Sequence, residues 1–178
     1  AKEIVLKAFA GFDKTFYECA ARMFDRNRID APVMPTKRGG AFCSSSIPSK
    51  DPYVLLNFLG RDRDVATMAH ELGHAIHDML CSERTFLTYH PRLPLAETAS
   101  VFSEMIVTDW ELKKDSDRLS QISILTSKLE DIFATSQRQN MFSRFEMRAH
   151  ERISAQFTST DELCGMYTEE LKRMFGDS

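Results

Sequence analysis

The sequence predicts a mainly α-helical protein of the α+β class with one small β-hairpin. Apolar residues recur at helical spacing near the N-terminus, and two short β-leaning segments follow between Ala41 and Leu59. Between Ala96 and Cys164 no proline or glycine interrupts a helix. A chain of 178 residues can bury one compact core. We therefore expect a single domain over residues 1–178, or one piece of a larger domain.

Four segments divide this predicted domain. Residues 1–30 hold a helix, and residues 37–60 form the small β region. Residues 61–114 hold two helices that carry candidate metal ligands, and residues 115–178 are helical. In residues 1–30, apolar residues recur at helical spacing from Ile4 to Phe24, which predicts one amphipathic helix.

The β region follows a connection rich in proline and glycine, residues 31–40. Segments 41–46 and 52–59 then predict a hairpin. After Gly60, Asp62 or Asp64 can cap a helix that runs to about Cys81.

A second helix starts near Leu95, after the prolines at 91 and 94. A final helix is predicted from about Asp161 to Phe175. The two helices between residues 61 and 114 are expected to pack antiparallel, because one short proline loop joins them.

Charge and composition exclude two classes of partner. The chain has 23 basic and 26 acidic residues, with no basic run beyond pairs, so nucleic acid is not an expected partner. The longest apolar stretch, Tyr53–Leu59, is interrupted by Asn57 and is too short to span a membrane.

Cysteine usage and the N-terminal segment indicate the cytoplasm. The four cysteines are widely spaced and form no Cys-x-x-Cys pair, which is typical of reduced thiols. The N-terminal segment lacks the uninterrupted apolar core of a secretory signal. We therefore expect a cytoplasmic protein with free thiols.

Residues 70–74 read His-Glu-Leu-Gly-His, a spacing that suits one metal ion. A step of four residues on a helix turns about 40° past a full revolution, so His70 and His74 project from one face. Glu71 lies about 100° around the helix from His70, where it can reach a water beside the ion without being a ligand. We predict that Glu71 is the catalytic base.

A third ligand is expected, since a catalytic zinc usually has three protein ligands and one open position. The helix that starts near Leu95 carries Glu97 and, two turns later, Glu104. Glu97 is the better ligand because it lies nearer the start of that helix. Glu104 is better placed to accept a hydrogen bond from the outer nitrogen of a ligand histidine. The predicted site thus holds one Zn²⁺.

Other readings of these residues remain open. The five-residue pattern also arises by chance in unrelated helices. His77 and Cys81 continue the stripe of the two histidines, but we interpret them as buried or supporting residues rather than ligands. His90 and His150 have no partner at metal spacing and are interpreted as structural or solvated.

A di-iron helical bundle is a further alternative, since Glu71 and His74 match the Glu-x-x-His half-site of such proteins. No second Glu-x-x-His occurs in the chain, which disfavours this alternative. Gly73 adds a structural hint: glycine within a helix costs about 1 kcal/mol relative to alanine and usually indicates close approach to the backbone.

The motif and its surroundings resemble the thimet oligopeptidase and oligoendopeptidase F family of zinc peptidases, and the oligoendopeptidase F branch in particular. The resemblance extends over further segments in the same order: Lys37–Phe42, Pro52–Phe58, Leu95–Glu104, Arg138–Phe142 and Tyr167–Asp177. It implies a zincin-like catalytic core in which the His-Glu-x-x-His helix packs against the glutamate-bearing helix.

By this resemblance, the zinc ligands are His70, His74 and Glu97, and Glu71 is the base. It also implies that the strand near Tyr53–Phe58 is a sheet edge along which an extended peptide lies, so that backbone rather than sequence is recognised. The function expected is hydrolysis of peptide bonds in short oligopeptides by a metal-activated water.

Family members are several times longer than this chain. The resemblance implies a further segment with a histidine and tyrosines that stabilise the tetrahedral intermediate. A metal-binding fragment with weak or no catalysis is therefore the alternative function. An interaction module with an empty site would bind no metal.

Overall fold

The chain is mainly helical with one three-stranded sheet, which confirms the predicted fold class. The computed structural model describes residues 1–176, so residues 177 and 178 at the end of the predicted domain lie outside the described residues. The described residues form two compact units, Ala1–Ser116 and a second that begins at Asp117. The single domain over 1–178 stays a prediction. Within the described part of the chain, no helix has both the length and the apolar character that a bilayer span requires.

The first unit contains five helices and three strands. Their bounds are α1 Lys2–Phe12, α2 Lys14–Asp25, β1 Ile29–Asp30, β2 Phe42–Ser44, β3 Tyr53–Leu55, α3 Asp62–Leu80, α4 Phe86–Tyr89 and α5 Leu93–Lys114.

The single N-terminal helix predicted from Ile4 to Phe24 is wrong, because the helix breaks at Asp13. The backbone of Asp13 is extended, with φ −155° and ψ 141°. Its carboxylate accepts hydrogen bonds from the amides of Thr15 and Phe16 at 2.7 and 3.1 Å, so it caps α2. The apolar spacing continues across this break, which is why periodicity alone predicted one helix.

The sheet has the strand order β1-β3-β2. Strand β2 is antiparallel to β3, which confirms the predicted hairpin. Strand β1 is parallel to β3 and was not predicted, because its two residues lie in a polar stretch. The Val54 amide donates to the Arg28 carbonyl at 2.9 Å and the Leu56 amide to the Asp30 carbonyl at 2.8 Å.

These bonds make β3 the central strand. The prediction that the strand near Tyr53–Phe58 is an edge is therefore wrong, since strands pair with it on both sides. The edges of the sheet are β1 and β2.

The second unit consists of α6 Arg118–Phe133, a π-helical turn Ala134–Arg138, α7 Gln139–Ala155 and α8 Thr160–Phe175. The final helix agrees with its predicted position. Ion pairs join α7 to α8: the buried carboxylate of Glu170 accepts hydrogen bonds from Arg144 and Arg148 at 2.8 and 2.6 Å. These two contacts hold the pair side by side.

Helix α3 begins where predicted, with the Asp64 carboxylate in its first turn accepting hydrogen bonds from the amides of Leu59 and Arg61 at 2.8 and 3.0 Å. Arg61, rather than Asp62 or Asp64, occupies the N-cap position. The apolar face of α3 lies in the core of the first unit and includes Val65, Met68, Ala69, Leu72, Ala75 and Ile76.

Helices α3 and α5 approach each other closely at Gly73. A Cβ atom there would lie 2.6 Å from the Ser103 hydroxyl, 2.8 Å from the Ala99 carbonyl oxygen and 2.8 Å from the Ser100 Cα. Two of these three atoms belong to the α5 backbone and cannot rotate away. The close approach predicted at this glycine is therefore present, and its partner is α5.

Replacing Gly73 with alanine is expected to destabilise the protein. Overpacking typically costs about 1–3 kcal/mol. The gain of helix propensity, about 1 kcal/mol, does not offset a displaced α5. We expect a lower midpoint of urea unfolding for Gly73→Ala. Gly11→Ala is the matched control, since nothing lies within 4 Å of its added Cβ. Equal stability of the two variants would contradict the close packing.

Candidate active site

His70, His74 and Glu97 come together where α3 crosses α5. The Glu97 Oε2 atom lies 3.2 Å from His70 Nε2 and 3.6 Å from His74 Nε2. One donor atom from each residue lies within 4.8 Å of the other two. Two ligands about 2.1 Å from a tetrahedral zinc are about 3.4 Å apart. The donor types and their separations therefore fit one zinc ion.

The two imidazoles project from one face of α3, as the four-residue spacing predicts. Their ring centroids are 4.9 Å apart and the rings are inclined at 82°. Glu97 lies in the second turn of α5, which begins at Leu93 and has Pro94 in its first turn. The proline fixes the start of α5, and this start determines which turn faces the histidines.

Glu104 accepts a hydrogen bond from His70 Nδ1 at 2.6 Å, as predicted for the second glutamate of α5. In the neutral ring, a proton on Nδ1 leaves Nε2 unprotonated, and Nε2 faces Glu97. The carboxylate thus selects the tautomer that can bind a metal through Nε2 and holds the ring in that orientation.

The two histidines differ in their affinity for protons. Burial alone lowers the pKa of His70, but the hydrogen bond and charge of Glu104, together with the charges of Glu71 and Glu97, outweigh it, so the pKa is raised overall. Burial lowers the pKa of His74, with smaller opposing effects from Glu97. His74 is therefore the more readily neutral of the two, and only a neutral imidazole can bind a cation.

Glu71 is the most enclosed carboxylate of the group, with 6% of its surface exposed. Burial raises the pKa of this carboxyl, and the neighbouring Glu97 raises it further. His70 and the backbone amide of Cys43 act in the opposite direction. A carboxylate with a raised pKa holds a proton more readily near neutral pH, as a general base must during a reaction.

The other predicted residues lie outside this group. In residues 1–176, the donors close enough to hold one ion are His70, His74 and Glu97, without His77 or Cys81. His90 contacts the ring of Tyr89, with centroids 4.9 Å apart. His150 lies in α7 of the second unit. All four cysteines are free thiols, as expected.

Two contacts to the site were not predicted. Ser100 donates a hydrogen bond to Glu97, and the backbone of Cys43 in β2 faces Glu71. The spacing of Ser100, three residues after Glu97, is a helical signal that could have identified it. The Cys43 contact depends on tertiary structure and has no signal in the sequence.

Comparisons with known proteins agree with this geometry. Residues 9–178 match the family described as peptidase family M3. An oligoendopeptidase F homolog of Borreliella burgdorferi is 37% identical over 145 residues, which cover 80% of this chain and 24% of the relative. The chromosomal oligoendopeptidase F of Lactococcus lactis subsp. cremoris is 30% identical and covers 96% of this chain and 28% of the relative.

Solved structures have the same fold. A peptidase crystal structure from Chlamydophila abortus superposes with a TM-score of 0.72 at 27% identity, covering 99% of this chain and 30% of that one. PZ peptidase A in complex with an inhibitor has a TM-score of 0.83 at 19% identity, and the match covers 97% of this chain and 30% of that one. The chain thus spans about a quarter of the length of the curated relatives above.

Removing the Glu104 carboxylate is expected to weaken zinc binding. Partners of ligand histidines typically contribute about 10-fold to 100-fold to metal affinity. We expect a loss of this size for Glu104→Ala, measured as a zinc dissociation constant by competition with a chromophoric chelator. Glu111→Ala, two turns further along α5, is the control and should bind as the unmodified chain does. An unchanged constant for Glu104→Ala would contradict the role of this hydrogen bond.

Proposed function

Because this chain belongs to peptidase family M3, we propose that it is the core of a zinc metalloendopeptidase that hydrolyses peptide bonds in short oligopeptides. The observation that carries the proposal is the convergence of His70, His74 and Glu97 beside the enclosed carboxylate of Glu71. In this proposal the first three residues hold one Zn²⁺, and Glu71 is the general base.

Bound Zn²⁺ supplies Lewis acidity, which polarises the scissile carbonyl and lowers the pKa of the attacking water. The carboxylate of Glu71 accepts the proton of that water and later donates it to the leaving amine. Its enclosure supports this role, because a pKa raised by burial favours holding the proton between the two transfers. Glu104 keeps the Nδ1 proton on His70 throughout.

The free edge of β2 is the proposed binding surface for the peptide backbone. The Val54 amide points to β1, so its partner Cys43 forms a non-hydrogen-bonded pair with it. The amide and carbonyl of Cys43 therefore point away from β3, on the side where Glu71 lies. An extended peptide that pairs with this edge would pass beside the base.

This placement replaces the edge expected near Tyr53–Phe58. Recognition through backbone groups would admit many side chains, which fits a peptidase that acts on short unstructured peptides.

The second candidate function is a zinc-binding core that catalyses slowly or not at all by itself. The chain spans about a quarter of the length of the curated relatives, so the assay below concerns these 178 residues by themselves. A missing transition-state hydrogen-bond donor typically costs about 100-fold to 1,000-fold in turnover. Cleavage of a quenched-fluorescence peptide by the zinc-loaded chain, abolished by a chelator, would support the peptidase. Bound zinc without cleavage would support the alternative.

Replacing Glu71 with glutamine is expected to lower kcat while zinc stays bound. General base catalysis contributes about 100-fold to 10,000-fold, and the amide cannot accept the proton. We expect a loss in this range in a peptide cleavage assay, with zinc content measured by elemental analysis. Glu83→Gln, in the loop after α3, is the control and should cleave normally. Normal turnover by Glu71→Gln would show that another group is the base.

Backbone pairing at β2 predicts sensitivity to methylation of the substrate amides. A peptide N-methylated at the residue that pairs with Cys43 loses a hydrogen-bond donor and clashes with the strand. We expect kcat/KM to fall about 10-fold or more for one such position along a methylation series. Uniform cleavage of the whole series would argue against an edge-pairing mode of binding.

A further inference from the structure

Ser100 lies one turn after Glu97 on α5, and none of its surface is exposed. Its hydroxyl oxygen lies 2.8 Å from Glu97 Oε2 and 3.0 Å from the Glu97 carbonyl oxygen, so the two oxygens share its single proton and Oε2 is the nearer acceptor. Oε2 is also the atom that lies 3.2 Å from His70 Nε2. One buried hydroxyl therefore holds the carboxylate oxygen that faces the histidines.

We propose that Ser100 is a positioning residue that orients the Glu97 carboxylate for the metal. The inference rests on the proposed function, since it assumes that Glu97 is a zinc ligand. It adds a residue that does not contact the ion but fixes the orientation of the Glu97 carboxylate before the ion binds.

The need for such a residue follows from the exposure of Glu97. Its side chain is 43% exposed and has three rotatable bonds, so solvent competes for its carboxylate. The two histidines have no such freedom, because His70 is held by Glu104 and both rings lie against α5. Glu97 is thus the ligand that most needs a second contact.

The geometry of the hydroxyl suits this role. A carboxylate oxygen has two lone pairs, so Oε2 can accept from Ser100 and still present the other to a cation. Ser100 is itself held in place, because a Cβ on Gly73 would lie 2.8 Å from its Cα. The contact of α3 with α5 therefore excludes water from the hydroxyl.

Ser103 offers a matched control on the same helix. None of its surface is exposed, and its hydroxyl lies at the same contact with Gly73. This hydroxyl donates to the backbone carbonyl of Ala99 at 3.0 Å, not to a proposed ligand. Ser100→Ala and Ser103→Ala thus remove the same group from the same environment, and differ in the contact with Glu97.

The experiment measures zinc dissociation constants of the 178-residue chain by competition with a chromophoric chelator. Ser100→Ala is expected to bind zinc about 10-fold to 100-fold more weakly, the range for a supporting contact to a ligand. Ser103→Ala should stay within about 2-fold of the unmodified chain. Circular dichroism and thermal unfolding of the metal-free variants check that both fold alike.

Cobalt spectra supply a readout that a packing defect would not change. The visible bands of bound Co²⁺ report ligand geometry, so they are expected to shift for Ser100→Ala and to stay unchanged for Ser103→Ala. Equal constants and spectra for the two variants would overturn the proposal. Glu97→Ala distinguishes failure of the Ser100 proposal from failure of the proposed zinc site. If Glu97→Ala binds zinc as tightly as the unmodified chain, Glu97 is not a ligand and the proposed zinc site is wrong as well.

Discussion

The close contact between α3 and α5 is the constraint on which the site depends. Gly73 has no side chain, so the backbones of the two helices approach to a separation that even a methyl group would prevent. His70 and His74 come from α3, and Glu97 and Glu104 come from α5. A displacement of α5 by the width of a methyl group would move Glu97 and Glu104 together. The glycine within the motif is therefore part of the geometry of the candidate metal site.

Electrostatics around this contact favour a divalent cation. Glu71, Glu97 and Glu104 lie around two imidazoles in a partly enclosed space, and the charges of Glu97 and Glu104 add to burial in raising the pKa of Glu71. The two imidazoles are held differently. His70 is hydrogen-bonded to Glu104, and burial lowers the pKa of His74, which favours its neutral form. A cation bound here would reduce the repulsion among the carboxylates and would accept lone pairs from the unprotonated imidazole nitrogens. The same enclosure makes Glu71 a stronger base than an exposed glutamate.

Helical spacing predicted much of this arrangement, because the i, i+4 rule is local. Helical pitch accounts for the face shared by His70 and His74 and for the two turns that separate Glu97 from Glu104. The same rule failed at Asp13, where a side-chain cap interrupts a helix without changing the apolar spacing. It also could not identify β1, whose two residues pair with a strand that is distant in sequence. This pairing covers one side of β3 and makes the edge implied by the resemblance wrong.

The sequence by itself determined the donor types, their order along two helices and the position of the glycine between the histidines, since these depend on residue identity and helical pitch. Tertiary structure decided which oxygen of Glu97 faces the imidazoles and which strand is the sheet edge beside Glu71. These features depend on the relative position of separate elements. Packing between elements sets such positions, and packing has no local signature in a chain.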